Sequence, residues 1–168
     1  MTLEELEAIR RHAIQSFRCG ADSIHGVHHW RTVERTGLLI AAEVGADVET
    51  VQLFSILHDC CRLDDDSDLG HGPRAARMVH DLAGSLIRID SVRLEMLVFA
   101  IRHHTDGTTS DDPTIGACWD ADRLDLGRVG IIPSPTYMST TTGKQIAELG
   151  SVYAYMQTKA PAGKPMGR

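Results

Sequence analysis

The chain has no apolar run long enough to span a membrane, because its longest hydrophobic stretches are interrupted by charges. It also lacks an excess of positive charge. Lys and Arg number 17 against 23 Asp and Glu, a formal net charge of −6, which argues against a nucleic-acid polymer as the main partner. The first residues, Met1-Thr2-Leu3-Glu4-Glu5-Leu6-Glu7, are acidic and helical in character rather than leader-like. A cytoplasmic location without membrane attachment is therefore expected. The four cysteines, Cys19, Cys60, Cys61 and Cys118, show no CxxC spacing, so reduced thiols are expected in place of disulfides or a zinc-thiolate site. Strand-like alternation of useful length is missing, and so is any internal repeat.

What is present reads as helix. At 168 residues the chain is long enough for one well-buried core and too short for two comfortable domains. Residues 2–18 place Leu3, Leu6, Ile9, Ala13 and Phe17 at helical spacing, with Gly20 closing the helix. A second helix runs from about His25 to Gly45 on an inward stripe of Trp30, Val33, Gly37, Ile40 and Val44. Asp47 caps a third, through Val51, Phe54 and Leu57, and Pro73 suits the first position of a fourth, to about Leu82. Asp90 caps a fifth that ends at His103-His104, and Asp112-Pro113 starts a sixth. Gly143 to about Lys159 makes the last. The expectation is an all-α single compact bundle of about six or seven helices occupying residues 1–159. Its core is 20–130, followed by a loop and helix over 131–159 and a flexible tail over 160–168.

Nine histidines is a high count, and almost all fall from His25 to His104. The sharpest feature is His58-Asp59, an imidazole beside a carboxylate at the end of the apolar run Ser55-Ile56-Leu57. Burying that pair uncompensated costs several kcal/mol. A divalent metal satisfies both groups, taking neutral imidazole nitrogen and carboxylate oxygen together. Two further polar residues lie on apolar helix faces: His29, near the face of Val33, and Asp122, central on the face of Ile115, Cys118, Trp119 and Leu126. Asp120 points to one side of that face and is the fallback. Each residue alone has an ordinary structural explanation, but together, in the order H…HD…D, they form a ligand set drawn from three helices.

That order resembles the HD-domain superfamily of metal-dependent phosphohydrolases, over roughly residues 20–130. The resemblance rests on His29-Trp30-Arg31-Thr32-Val33, Leu57-His58-Asp59 and Asp120-Ala121-Asp122-Arg123-Leu124-Asp125. His25-Gly26 and His71-Gly72-Pro73 are also similar to small bacterial HD hydrolases. The resemblance implies an HD-domain bundle in which His29, His58, Asp59 and Asp122 hold a divalent metal (Mn, Co, Mg, Ni, Fe or Zn). It implies one ion, with a second at His71, His103 and His104 as the alternative to phosphate binding there. The implied reaction is attack of water activated on the metal upon a phosphomonoester or pyrophosphate bond of a small phosphorylated substrate, a nucleotide by family frequency. Asp59, Asp64, Asp68 and Arg62 are candidates to assist catalysis, and Arg31 and Arg74 to hold substrate phosphate. Two other functions share the pattern: a di-iron oxygenase with six His/Asp ligands, and an HD domain kept as a ligand sensor or interaction module. Self-association into a homodimer is left open. Residues 131–145, lacking periodicity, are expected to act as a lid with Tyr137 and Met138 against the substrate.

Overall fold

The computed structural model of the protein describes residues 1–159, so the tail expected from Ala160 lies outside the described residues. Apart from a single bridge between Ala83 and Ile87, the regular structure there is helical. Helix α1 (Leu3–Ser16) opens on a capping box: Thr2 Oγ1 accepts the Glu5 amide, and the Glu5 carboxylate accepts the Thr2 amide. It stops at Phe17 rather than Gly20, which sits in the following loop at φ +88°. Helix α2 (Val27–Val44) ends at Gly45, whose φ of 72° is the left-handed conformation that glycine adopts without strain.

Helix α3 (Val48–Leu57) is the central rod. Asp47 caps it through the Thr50 amide at 2.8 Å, and from Leu53 to Leu57 every residue is buried. A helix apolar on all sides belongs inside a core, and α3 packs against α1, α2, α5 and α6. The α2–α3 contact is tight. A Cβ on Gly37 would come within 2.7 Å of Val51 Cγ1, so glycine is what permits the approach. The consequence for function is positional: α3 delivers His58 and Asp59 directly into the interior.

Helix α4 (His71–Leu82) begins earlier than Pro73 suggests. Gly70 is its cap and Pro73 its third residue, still inside the first turn, where the missing N–H costs nothing. His71 thereby becomes a helical residue with a fixed direction. Helix α5 (Ser91–His103) packs against α4, and α6 (Pro113–Leu124) packs against α2, α3 and α5. The single C-terminal helix expected from Gly143 is instead two, α7 (Thr141–Leu149) and α8 (Val152–Lys159), broken at Gly150 with φ 75°. The described residues thus carry eight α-helices where six or seven were expected.

Asp120 points to one side of the ligand-bearing face, and into the protein. It is fully buried and accepts three hydrogen bonds, from the Ser139 amide (2.7 Å), the Thr140 amide (2.8 Å) and Thr140 Oγ1 (2.7 Å). That role removes it as a fallback ligand. It also overturns the lid expected over 131–145, because Asp120 staples the segment to α6. Met138 is core, and Tyr137 faces solvent at the end of a short 3-10 helix, Pro135–Tyr137. Asp120→Ala is expected to destabilise the protein by on the order of 3 kcal/mol, since it strands three buried donors. Thermal denaturation should show this as a fall in Tm of roughly 6–12 °C with bound metal unchanged.

Candidate metal centre

The ends of five helices meet in the interior. His58 caps the C-terminus of α3, His104 caps that of α5, and Asp122 lies in the last turn of α6. His29 and His71 come from the first turns of α2 and α4. Three helix C-termini bring partial negative charge to one point, a setting that favours a cation. Around it His29 Nε2 lies 3.1 Å from His58 Nε2 and 3.2 Å from Asp122 Oδ1, and His58 Nε2 lies 3.7 Å from the same Asp122 oxygen. Asp59 Oδ2 is 3.7 Å from both imidazoles. The other oxygen of Asp59 faces a second group: Oδ1 is 3.1 Å from His71 Nε2 and 3.6 Å from His104 Nε2, and those two nitrogens are 2.8 Å apart. Two clusters therefore share one carboxylate, with a different oxygen turned to each.

The hydrogen bonds behind these side chains decide what the inward atoms are. His58 Nδ1 faces the Phe54 carbonyl at 3.2 Å, His104 Nδ1 the Ile101 carbonyl at 2.7 Å, and His71 Nδ1 the Asp68 carbonyl. His29 Nδ1 faces Asp125 Oδ2 at 2.7 Å. All four partners only accept, so each Nδ1 carries a hydrogen and each neutral ring turns its Nε2 lone pair inward. Outer partners of this kind orient metal-binding histidines. Two pairs of lone pairs at 2.8–3.1 Å repel unless a proton or a cation lies between them. Burial opposes charge on His29, yet the Asp122 and Asp125 carboxylates overcome it and raise its pKa to about 9. At His58 burial prevails and the pKa falls to about 3. Burial also opposes the charge of Asp59, but His58, His104, His25 and His71 hold its carboxyl well below the usual range. Four imidazole nitrogens and two ionised carboxylates facing inward fit divalent metal ions in both number and chemistry.

Comparison with known proteins gives the family and the fold. The family model of the HD domain matches residues 26–127. The chain belongs to the HD domain family. No curated protein matches it. Among solved structures it is similar to a predicted HD superfamily hydrolase from an uncultured Thermotogales bacterium. The two share 24% sequence identity over 94% of this chain and 88% of the other, with a TM-score of 0.68. At that identity the likeness speaks for the fold.

Of the residues singled out in the HD sequence pattern, His29, His58, Asp59, Asp122, His71 and His104 are gathered in the centre, and Arg62 stands beside them with Nε 3.1 Å from Asp59 Oδ1. Others are elsewhere. His103 turns outward, 37% exposed, toward Asp106 and the Phe99 ring, because α5 rotates it about 100° from its neighbour. His103→Ala should leave metal content and any turnover within about twofold of wild type. Arg31 is exposed and lines a separate groove between α1 and α2. Arg74 donates to the Cys61 carbonyl and the Asp68 carboxylate. Asp68 also accepts the amides of Leu63 and Gly70, and Asp64 that of Asp66, so both tie down their own loop.

Four residues near the centre escaped the sequence reading of roles. Asp125 follows Asp122 by three positions, so helical spacing alone puts them on one side. His25 Nδ1 is 2.9 Å from Asp59 Oδ2, Thr105 Oγ1 is 3.3 Å from His71 Nε2, and Arg128 Nη2 is 3.3 Å from His25 Nδ1. His25 was marked only as part of the His25-Gly26 resemblance, without a role, and nothing in the spacing of Thr105 or Arg128 marked them. A cavity of about 230 Å³ opens over this centre, with His25, Asp59, Arg62, His104, Asp122 and Arg128 in its wall. No helix of the described residues is long and apolar enough to cross a membrane.

Proposed function

We propose that the protein is a metal-dependent phosphohydrolase acting on a small phosphorylated molecule. The observation that carries this reading is the pair of buried clusters sharing Asp59, beneath an open cavity whose wall Asp59, His104 and Asp122 reach. The similar Thermotogales protein is described as a predicted HD superfamily hydrolase, and the proposal extends that description to this chain. Divalent ions bound here supply Lewis acidity toward a phosphoryl oxygen and lower the pKa of water. His29, His58 and Asp122 with Asp59 would hold one ion, and His71 and His104 with Asp59 a second. Asp59 then serves both, a role its two separately directed oxygens suit. Arg62 fixes the Asp59 carboxylate and contributes positive charge at the cavity wall, where phosphoryl oxygens would collect.

Nucleotides head the candidate substrates only by family frequency, so the test is broad. Protein loaded in turn with Mn²⁺, Co²⁺, Mg²⁺ and Ni²⁺ should release phosphate or pyrophosphate from at least one member of a nucleotide and phosphoester panel. Absence of metal-dependent release across the panel would sink the proposal. The gathering of six His/Asp side chains also keeps the di-iron oxygenase as a second reading. Two tightly bound irons together with substrate-dependent O₂ consumption would favour it. The cavity's arginines weigh toward a phosphorylated substrate.

A further inference from the structure

The geometry points to Arg128 as an anion anchor for the substrate's phosphoryl group, a role that rests on the phosphohydrolase reading and extends it to a residue outside the HD ligand pattern. Arg128 follows α6 in the 3-10 helix Asp125–Val129, and its side chain is mostly buried, 17% exposed. Two backbone carbonyls hold the guanidinium, Nε donating to Ile24 at 2.9 Å and Nη1 to Asp125 at 3.1 Å, and the Asp125 carboxylate stands 3.7 Å from the same Nη1. A guanidinium held this way is preorganised, with little rotamer freedom left to lose on binding.

The remaining nitrogen is the informative one. Nη2 sits 3.3 Å from His25 Nδ1, but that nitrogen is also 2.9 Å from Asp59 Oδ2. A carboxylate oxygen only accepts, so His25 Nδ1 bears the hydrogen and gives it to Asp59. It then has no lone pair for Arg128. The Nη2 hydrogens of Arg128 therefore have no acceptor among the described residues. Arg62 is similar: Nε donates to Asp59, Nη1 to the Asp64 and Asp66 carbonyls, and Nη2 has no acceptor among the described residues. Both arginines line the cavity over the metal-binding side chains. His25 and Asp59 stand between them, so the wall reads Arg62, Asp59, His25, Arg128. Two partly unsatisfied guanidinium groups flanking a metal centre suit a tetrahedral oxyanion carrying several acceptor oxygens.

Arg128 is also a wall of a second cavity, of about 360 Å³, lined by Asp22, Ser23, Ile24, His28 and His29. A phosphoryl group held by Arg128 above the metal ligands would direct the rest of its molecule toward that space.

The test reads binding, not turnover. The full chain, loaded with Mn²⁺, is titrated with inorganic phosphate by calorimetry, and metal content is measured on the same samples. Arg128→Gln is expected to weaken phosphate binding by about 10–100-fold with metal content unchanged, the range for losing charge-assisted hydrogen bonds. Arg128→Lys, which keeps the charge and a carbonyl-bonding donor, should recover part of the loss and guards against misfolding of the glutamine variant. With a turned-over substrate the loss should appear chiefly in KM. Equal phosphate affinity in wild type and Arg128→Gln overturns the proposal, as does wild-type protein that holds Mn²⁺ but binds no phosphate. Loss of Mn²⁺ in both variants overturns it too, by making Arg128 a support for Asp125 and His29. Phosphate binding that depends on Arg128 without any phosphoester cleavage would retain the anchor and reject the phosphohydrolase.

Discussion

Asp59→Asn is expected to empty both metal sites at once, whereas His71→Ala should empty only one. The difference follows from the two oxygens of Asp59. Oδ2 faces His29 and His58, and Oδ1 faces His71 and His104. An asparagine of the same shape keeps one acceptor, loses the charge, and turns an N–H₂ toward one pair of imidazole lone pairs. Metal analysis after dialysis should find less than a tenth of the wild-type content in Asp59→Asn. His71→Ala should retain about half, held by His29, His58, Asp59 and Asp122. Turnover should fall by ~10³-fold or more in Asp59→Asn, because that factor is only about 4 kcal/mol of barrier and metal polarisation supplies several. Circular dichroism separates this from unfolding, since Asp59 lies at the end of α3 and takes no part in its helical hydrogen bonds. If Asp59→Asn kept one full equivalent of metal, the shared-carboxylate arrangement would be wrong.

The parts of this centre legible in the sequence were those that lie on periodic helices. His29 and Asp122 stand on apolar faces where a polar residue is conspicuous, and the His58-Asp59 dipeptide ends the most apolar helix of the chain. Periodicity fails where direction is set by a cap or a loop. His104 was indistinguishable from His103 by sequence; one is the buried C-cap of α5 and the other its last residue, half-buried and turned outward. The role of Asp120, set aside from Asp122 by its helical position, was harder still. Both are polar groups on one helix, and only the fold reveals that Asp120 meets the Ser139–Thr140 backbone, which no spacing rule connects to it. Similarly, Gly150 breaks the last helix although the apolar spacing continues through it, because left-handed backbone leaves no trace in hydrophobic periodicity. The acidic loop looked like a reservoir of catalytic acids, but short carboxylates in loops bond to nearby amides, and Asp64 and Asp68 do that here.

Stripping the metal should leave a protein whose stability is greatest near pH 6.5 and falls on both sides, and reloading it should flatten that profile. In the metal-free state a proton must separate the facing imidazoles, and it resides on His29, raised to about 9 by Asp122 and Asp125 against the effect of burial. A histidine raised from 6.5 contributes stability that is fully present below pH 6.5 and is lost as pH rises through about 9. The difference is on the order of 3 kcal/mol. His104 is also raised, burial being outweighed by Asp59, and adds to the same alkaline loss. His58 acts oppositely. Burial lowers it to about 3, so its contribution is present above pH 6.5 and is lost as pH falls toward 3. Bound metal takes the place of the His29 proton, which makes metal and proton competitors. Metal affinity should therefore rise as pH increases and level off near pH 9, and binding at pH 7 should release a proton into a weakly buffered solution. At free metal about 1,000-fold above Kd, the loaded protein gains roughly 4 kcal/mol, a Tm increase of the order of 10 °C. Calorimetry in buffers of different ionisation enthalpy measures the released proton directly. A metal affinity independent of pH between 6.5 and 9 would mean that His29 Nε2 does not bind the ion.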